Sequence, residues 1–299
     1  MGEGWITAQR HYLNYRSETS SRRDRDEQPS QLDCDGHHNP QGLIDHIIDH
    51  VNDRNSLKAC SLVCRQWFAR SRKHLFAEVD FTSVRNLRRW CTCVRPGPSG
   101  PSSLVKNLDL LGFDTSSASL DPSTFANRIS HLQSFSALRV LAVWEWRMTT
   151  DRMLLMVHSF GPSLENVTYL TLGHIFIHPA TLAMFISHFP RLDDFSISSI
   201  RLPRALVRAR DSHTELYVGI IPTHPRGKFR ASGIPTCRMP LKVFEAITLL
   251  EPRFHRIILT CVDYDAWRGY WPLVEACGEL LEELRILAHE TGERTRLDL

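Results

Sequence analysis

Leu43, Ile44, Ile47, Ile48 and Val51 recur at intervals of one, three and four residues, with Asp45, His46, Asp49 and His50 filling the opposite face. That pattern predicts an amphipathic helix. A second helix is expected from Asn55 or Ser56, both good N-caps, with Leu57, Cys60, Cys64 and Trp67 sharing one stripe. A basic stretch then runs to His74-Leu75-Phe76. Three short helices cover little of their own apolar surface, so a module of this size calls for a partner. After it, Ala77, Val79 and Phe81 alternate as a short strand, and Val84, Leu87 and Trp90 predict a helical turn or two. Arg95-Pro96-Gly97-Pro98-Ser99-Gly100-Pro101 breaks both patterns and reads as exposed linker.

Beyond the linker a strand of the form apolar-x-x-apolar-x-apolar recurs. Its copies are Val105, Leu108, Leu110; Leu138, Leu141, Val143; Val167, Leu170, Leu172; Leu192, Phe195, Ile197; Phe254, Ile257, Leu259; and Leu281, Leu284, Ile286. The spacings are 33, 29, 25, 62 and 27 residues, and Lys228-Phe229-Arg230-Ala231 splits the long one as a degenerate copy. Helical patterns lie between the strands: Phe125, Ile129, Leu132; Met153, Leu154, Val157; Leu182, Phe185, Ile186, Phe189; Val243, Phe244, Ile247; and Trp267, Tyr270, Trp271, Val274. Strand then helix at this period is the pattern of a leucine-rich-repeat solenoid, in which each unit buries its apolar edge against its neighbours. The expected fold is α/β: an N-terminal three-helix module followed by an open, curved leucine-rich-repeat-like αβ solenoid. The boundaries read as a polar tail (1–38), the helical module (39–76), a connecting strand, short helix and Pro/Gly-rich linker (77–101), the repeat domain (102–290) and a C-terminal tail (291–299).

Composition narrows the function classes. With 42% hydrophobic and 23% charged residues and a formal charge of +3, the 299-residue chain is an ordinary globular one, too weakly basic to argue for nucleic acid. Residues 1–38 are polar and mixed in charge, and are expected to stay disordered. Eight cysteines without paired C-x-x-C spacing read as reduced thiols. The apolar runs fall short of a membrane span, so a soluble cytoplasmic or nuclear protein without a membrane partner is expected.

The segment from Leu43-Ile44-Asp45-His46-Ile47-Ile48-Asp49-His50-Val51 through Ser56-Leu57-Lys58-Ala59-Cys60-Ser61-Leu62-Val63-Cys64-Arg65-Gln66-Trp67-Phe68 resembles an F-box, and residues 39 to 290 together resemble F-box proteins with irregular leucine-rich repeats. The F-box docks a substrate receptor onto the Skp adaptor of cullin-type ubiquitin ligases. The resemblance therefore implies a non-enzymatic substrate receptor in the ubiquitin conjugation pathway. It implies adaptor contacts at Pro40, Leu43, Ile44, Ile47, Ile48, Leu57, Val63, Cys64 and Trp67, a cullin reached through the adaptor, and an unknown target protein on the repeats. The chain departs from the family where many F-boxes open on Leu-Pro and then an acidic residue: Asn39-Pro40 and Gly42 stand there instead. It departs again at the ninth repeat position, where regular repeats carry an Asn or Cys ladder. This chain has Phe113, Trp146, Ile175, Ile200, Val262 and His289. A scaffold of the same repeats that mediates protein contacts without assembling a ligase is the alternative.

Catalytic and metal motifs are absent. There is no G-x-S-x-G, H-E-x-x-H or glycine-rich phosphate loop. His46 and His50 lie four apart but lack a third ligand of fixed position, so no metal is expected, nor any cofactor. Cys60 and Cys64 read as packed small hydrophobes, Cys91-Thr92-Cys93 as exposed loop, and Asp193-Asp194 and Glu282-Glu283 as solvated charges. The positive candidate is the concave sheet, because the third, fifth and seventh positions of each repeat point away from the core. These place Val140, Trp144 and Tyr169 side by side, with Arg256 further along, as target-binding residues; exposed aromatics on a rigid sheet make strong contact sites.

Overall fold

The computed structural model describes residues 40–94, 97, 100–112, 130–148, 150–201, 225–232, 241–260, 270–287 and 294–297. The tail expected to be disordered (1–38), Phe125, Ile129 and Trp267 of the expected helices, and Phe113, Val262 and His289 of the ninth positions lie outside these. The chain divides into two units, Met1–Ile44 and Asp45–Leu299. Of the first, residues 40–44 are described, at the start of helix α1, Pro40–Asp49; Leu43 is exposed and Ile44 half-buried.

In the second unit the helical pattern continues as α2, Arg54–Cys60, and α3, Arg65–Ala77. The cap of α2 is Asp53 rather than the expected Asn55 or Ser56. Its carboxylate accepts from the Ser56 backbone N–H and hydroxyl, both at 2.7 Å, so an aspartate two or three residues upstream outcompetes the other candidates. The expected single stripe through Leu57, Cys60, Cys64 and Trp67 does not exist. The chain turns at residues 61–63, and Cys64, in extended conformation, begins α3 as an exposed residue rather than a packed one. Helix α3 runs without a loop into strand β1, Glu78–Phe81, and α4, Val84–Cys93, follows with Ser83 as its cap. Cys91-Thr92-Cys93, expected in a loop, are the last residues of α4. Buried Leu87 and half-buried Trp90 and Cys91 carry the helical spacing one turn further. The Trp90 indole meets Phe76 and Phe81 edge-on, at 5.9 and 5.8 Å between centroids, and lies 6.4 Å from Phe135. It joins the last turn of α3 to the sheet core.

Mixed α/β architecture with a parallel sheet is what the chain forms. Strands β2 (Asn107–Leu111), β3 (Val140–Trp144), β5 (Tyr169–Gly173), β7 (Asp194–Ser198), β8 (Arg226–Ser232), β9 (Arg253–Thr260) and β10 (Glu283–Leu287) extend the sheet in that order from β1, each parallel to the last. The connecting segment's β1 is thus part of the same sheet as the repeats. Residues 294–297, expected within a C-terminal tail, add an antiparallel edge strand, β11 (Arg294–Leu297). Helices α5 (Thr150–Phe160), α6 (Pro179–Ile186), α7 (Leu241–Thr248) and α8 (Trp271–Cys277) pack on one face. Met153, Met156, Leu182, Phe185, Val243, Phe244, Ile247 and Leu273 meet the alternate strand residues Leu141, Val143, Leu170, Leu172, Phe195, Ile197, Phe229, Ile257 and Leu259 in one buried cluster. His178 caps α6 by accepting from the Ala180 N–H at 3.2 Å, with Pro179 at the first helical position.

How the repeats turn without an Asn ladder is visible just past each strand. Gly112, Glu145, His174 and Ser199 occupy the eighth position and all adopt positive φ, between 52° and 62° for the four. The backbone then turns so that the ninth residue points back inside: Trp146, Ile175 and Ile200 are buried, filling the space with hydrocarbon and indole. The main chain continues the ladder at this level, Glu145 N–H to Gly173 C=O at 2.9 Å and His174 N–H to Ser198 C=O at 2.8 Å. Short strands β4 (Arg147–Met148) and β6 (Phe176–Ile177) pair next. Only at β8 does the register slip: Gly227, at φ +82°, forms a bulge beside the Asp193 carbonyl, where a Cβ would lie 1.7 Å from that oxygen.

Candidate functional site

Two surfaces carry the candidate residues. The first is the helical module of the second unit. Ile48 and Leu57, expected as adaptor contacts, are buried at 0% and 6% exposure; they form the module's own interior and are unavailable to a partner. Trp67 is half-buried, while Cys64 is exposed. Ile47 is 49% exposed and Val63 61%, and the module also exposes Leu62 (86%) and Phe68 (47%), two residues the helical stripe did not single out. A signal for Leu62 was present: Leu62 and Val63 are adjacent apolar residues in the turn after α2, where short backbone reversal leaves little interior to enter. Arg72 lies 5.9 Å from the Phe68 ring and 5.9 Å from the Phe76 ring. Pro40 lies in α1, and Leu43 on the same helix is exposed.

The module is held by a charged clasp. The Asp49 carboxylate accepts from the Arg70 guanidinium through both Nε and Nη2, and from His74 Nε2 at 2.8 Å. Burial pushes the Asp49 carboxyl upward, yet the hydrogen bonds and charges of Arg70 and His74 outweigh it and hold the group below the ordinary carboxylate range. A depressed folded value stabilises the fold above the unfolded value and loses that contribution as pH falls through the folded one. Asp49→Asn is therefore expected to lower the thermal midpoint most near neutral pH, the difference from the parent shrinking as pH drops below the carboxylate range. A difference independent of pH would show that the clasp acts by shape rather than charge.

Among the described residues, neither His46 and His50 nor the cysteines assemble a site of their own. His50 Nδ1 donates to the His46 carbonyl at 2.8 Å within one helical turn, and the described residues contain no group of three or more His, Cys, Asp or Glu placed to hold a metal. Burial pushes the thiols of Cys91 and Cys277 up to about 11, so both are protonated at neutral pH. No helix among the described residues is long and apolar enough to cross a membrane.

The second surface is the sheet face away from the helices. Strand pairing sets Val140, Tyr169, Asp194, Lys228, Arg256 and Glu283 opposite one another in a single row, with Ala142, Thr171, Ser196, Arg230, Ile258 and Arg285 in the next. Val140, Tyr169 and Trp144 are half-buried on this face, and small Ala142 and Thr171 are covered between them. Trp144 does not stand off the sheet. Its ring lies over the Gly173 backbone of the neighbouring strand, where a Cβ would fall 2.0 Å from the indole, and 6.4 Å from the His174 ring. Gly173→Ala must displace that ring and is expected to cost about 1–3 kcal/mol. Denaturation of Gly173→Ala, Trp144→Ala and the pair should show the double variant well short of additive; additivity would mean the two residues do not share the space.

Of the carboxylates expected to be solvated, Asp193 and Glu282 are exposed, whereas Asp194 and Glu283 are paired along the sheet. Asp194 lies 3.5 Å from Arg230 on the next strand, and Glu283 forms an ion pair with Arg256 and accepts from Arg285 Nε. Arg256, a predicted target contact, is thus already held by Glu283 and presents a fixed cation rather than a mobile one.

No protein-family model matches the chain. Over 91 residues, 30% of the chain, it is 29% identical to the F-box protein COS111 of Kluyveromyces lactis, of which the matched stretch covers 12%. The similarity ties part of the chain to an F-box protein, and the chain spans a small part of that relative's length.

Proposed function

We propose that this chain is the substrate-recognition subunit of a cullin-type ubiquitin ligase, docking onto the Skp adaptor through helices α1 to α3 and holding a target protein on the outward face of a leucine-rich-repeat-type stack. The observation that carries the reading is the set of large apolar side chains left in water on so small a helical module: Ile47, Leu62, Val63 and Phe68. Fully burying a side chain of this size contributes about 1.5–3 kcal/mol, which a partner groove would recover and an isolated module forgoes. The partial similarity to an F-box protein supports the same reading.

In this reading the chain supplies proximity, and the ligase's partner subunits supply the chemistry. Holding a target lysine near the charged ubiquitin donor raises its effective concentration without any catalytic side chain on the receptor. The direct passage of α3 into β1, braced by Trp90, gives the module and the sheet a short connection. Co-expression with a Skp adaptor tests the proposal: the two proteins are expected to co-elute as a stoichiometric complex. A folded chain that elutes apart from a folded adaptor would overturn it and leave the scaffold reading in its place.

A further inference from the structure

The outward sheet face is electrically polarised from one end to the other. Within the strands, β1 and β2 present the carboxylates Glu78, Asp80 and Asp109 and no cation, and the register puts Asp80 directly opposite Asp109. Strands β3 and β5 present no charge at all, only Val140, Tyr169, Trp144 and the small residues between them. Strands β8, β9 and β10 then present Lys228, Arg230, Arg256 and Arg285 against Glu283 alone, with Asp194 of β7 on their border. All of these charged side chains keep contact with solvent.

We infer that this face takes an extended segment of a target protein laid across the strands, basic at one end, apolar or aromatic in the middle and acidic at the other. The inference rests on the reading of this face as the target surface and adds the chemistry of what it holds. Opposite charges on the segment meet opposite charges on the sheet, and a segment of uniform sign is repelled at one end. The rows fix the length as well. Acidic and basic ends are five to six strand spacings apart, roughly 26 Å at about 4.8 Å each, which an extended chain covers in about eight residues. Arg256 and Arg285, tethered by Glu283, and Arg230, beside Asp194, are held in place before the segment arrives, which lowers the ordering cost of binding.

The test uses the full chain and dye-labelled synthetic peptides read by fluorescence anisotropy. One peptide has three lysines, a six-residue centre of leucine, serine and tyrosine, and three glutamates. A second is its reverse, and a third has the same residues with the charges alternating. One direction of the segregated peptide is expected to bind at least 10-fold more tightly than the alternating one, with the advantage fading in high salt. Asp80→Lys with Asp109→Lys should remove that preference and favour a peptide acidic at both ends; Lys228→Glu with Arg285→Glu should favour one basic at both ends. Equal binding of segregated and alternating peptides, binding of none, or charge-reversed variants that keep the parental preference while remaining folded would each overturn the inference. Adaptor capture measured on the same preparations separates the two ideas, because capture that persists beside indifferent peptides refutes the polarity and leaves the receptor reading standing.

Discussion

Phe229→Ala is expected to lower stability by about 3–5 kcal/mol, the range for truncating a fully buried phenylalanine. Phe229 is 0% exposed in β8, stacked on Phe254 at 5.2 Å and packed against Phe195 at 5.6 Å and Phe244 at 6.3 Å. Those three partners come from β9, β7 and α7, so one ring fastens the strands before the longest gap in the repeat to those after it. The loss should appear as a fall of roughly 6–20 °C in thermal midpoint for a domain of this size. Phe229→Leu, which keeps much of the volume, should cost clearly less. If Phe229→Ala melted within a degree or two of the parent, β8 would not be the strand that joins the two runs of repeats.

That β8 could be anticipated at all shows what the hydrophobic pattern carries. Inside a parallel sheet covered by helices, inward residues at every second position must be apolar, and each strand must match its neighbour's register to keep them inward. Leu108 and Leu110, Leu141 and Val143, Leu170 and Leu172, and Phe195 and Ile197 therefore align by sequence as they pair in space. Even the bare Phe229 and Ala231 suffice. The turns were not legible in the same way. Left-handed backbone is announced most clearly by Gly or Asn, and Glu145 and Ser199 carry no such mark and His174 only a weak one; the buried Trp146, Ile175 and Ile200 that follow impose it. Nor do solitary acidic pairs reveal their partners, since Asp194 and Arg230, or Glu283 and Arg256, meet only once the strands between which they lie are adjacent. In the helical module the stripe found the helices but not their exteriors. It grouped buried Ile48 and Leu57 with exposed Ile47 and Val63, because helical periodicity identifies an apolar face without saying whether the chain itself or a partner covers it.

That distinction sets the second large effect. Leu62→Asp with Val63→Asp should abolish adaptor capture while leaving the thermal midpoint nearly unchanged. Both side chains already stand in water, so the folded chain gives up little when they become charged. In a complex, each new carboxylate would enter an apolar interface without a counter-charge, a cost of several kcal/mol apiece. Even about 3 kcal/mol weakens binding more than 100-fold. Ile47→Asp should act in the same direction from the neighbouring helix, and Leu57→Asp supplies the contrast. Buried Leu57 should unfold the module, lowering capture and midpoint together. Capture is measured by calorimetric titration with purified adaptor and midpoint by thermal scan on the same samples. Undiminished capture by the folded Leu62→Asp, Val63→Asp chain would mean that the adaptor uses another face; loss of capture without loss of stability would assign these exposed residues to the interface, since only a partner can register a change made in solvent.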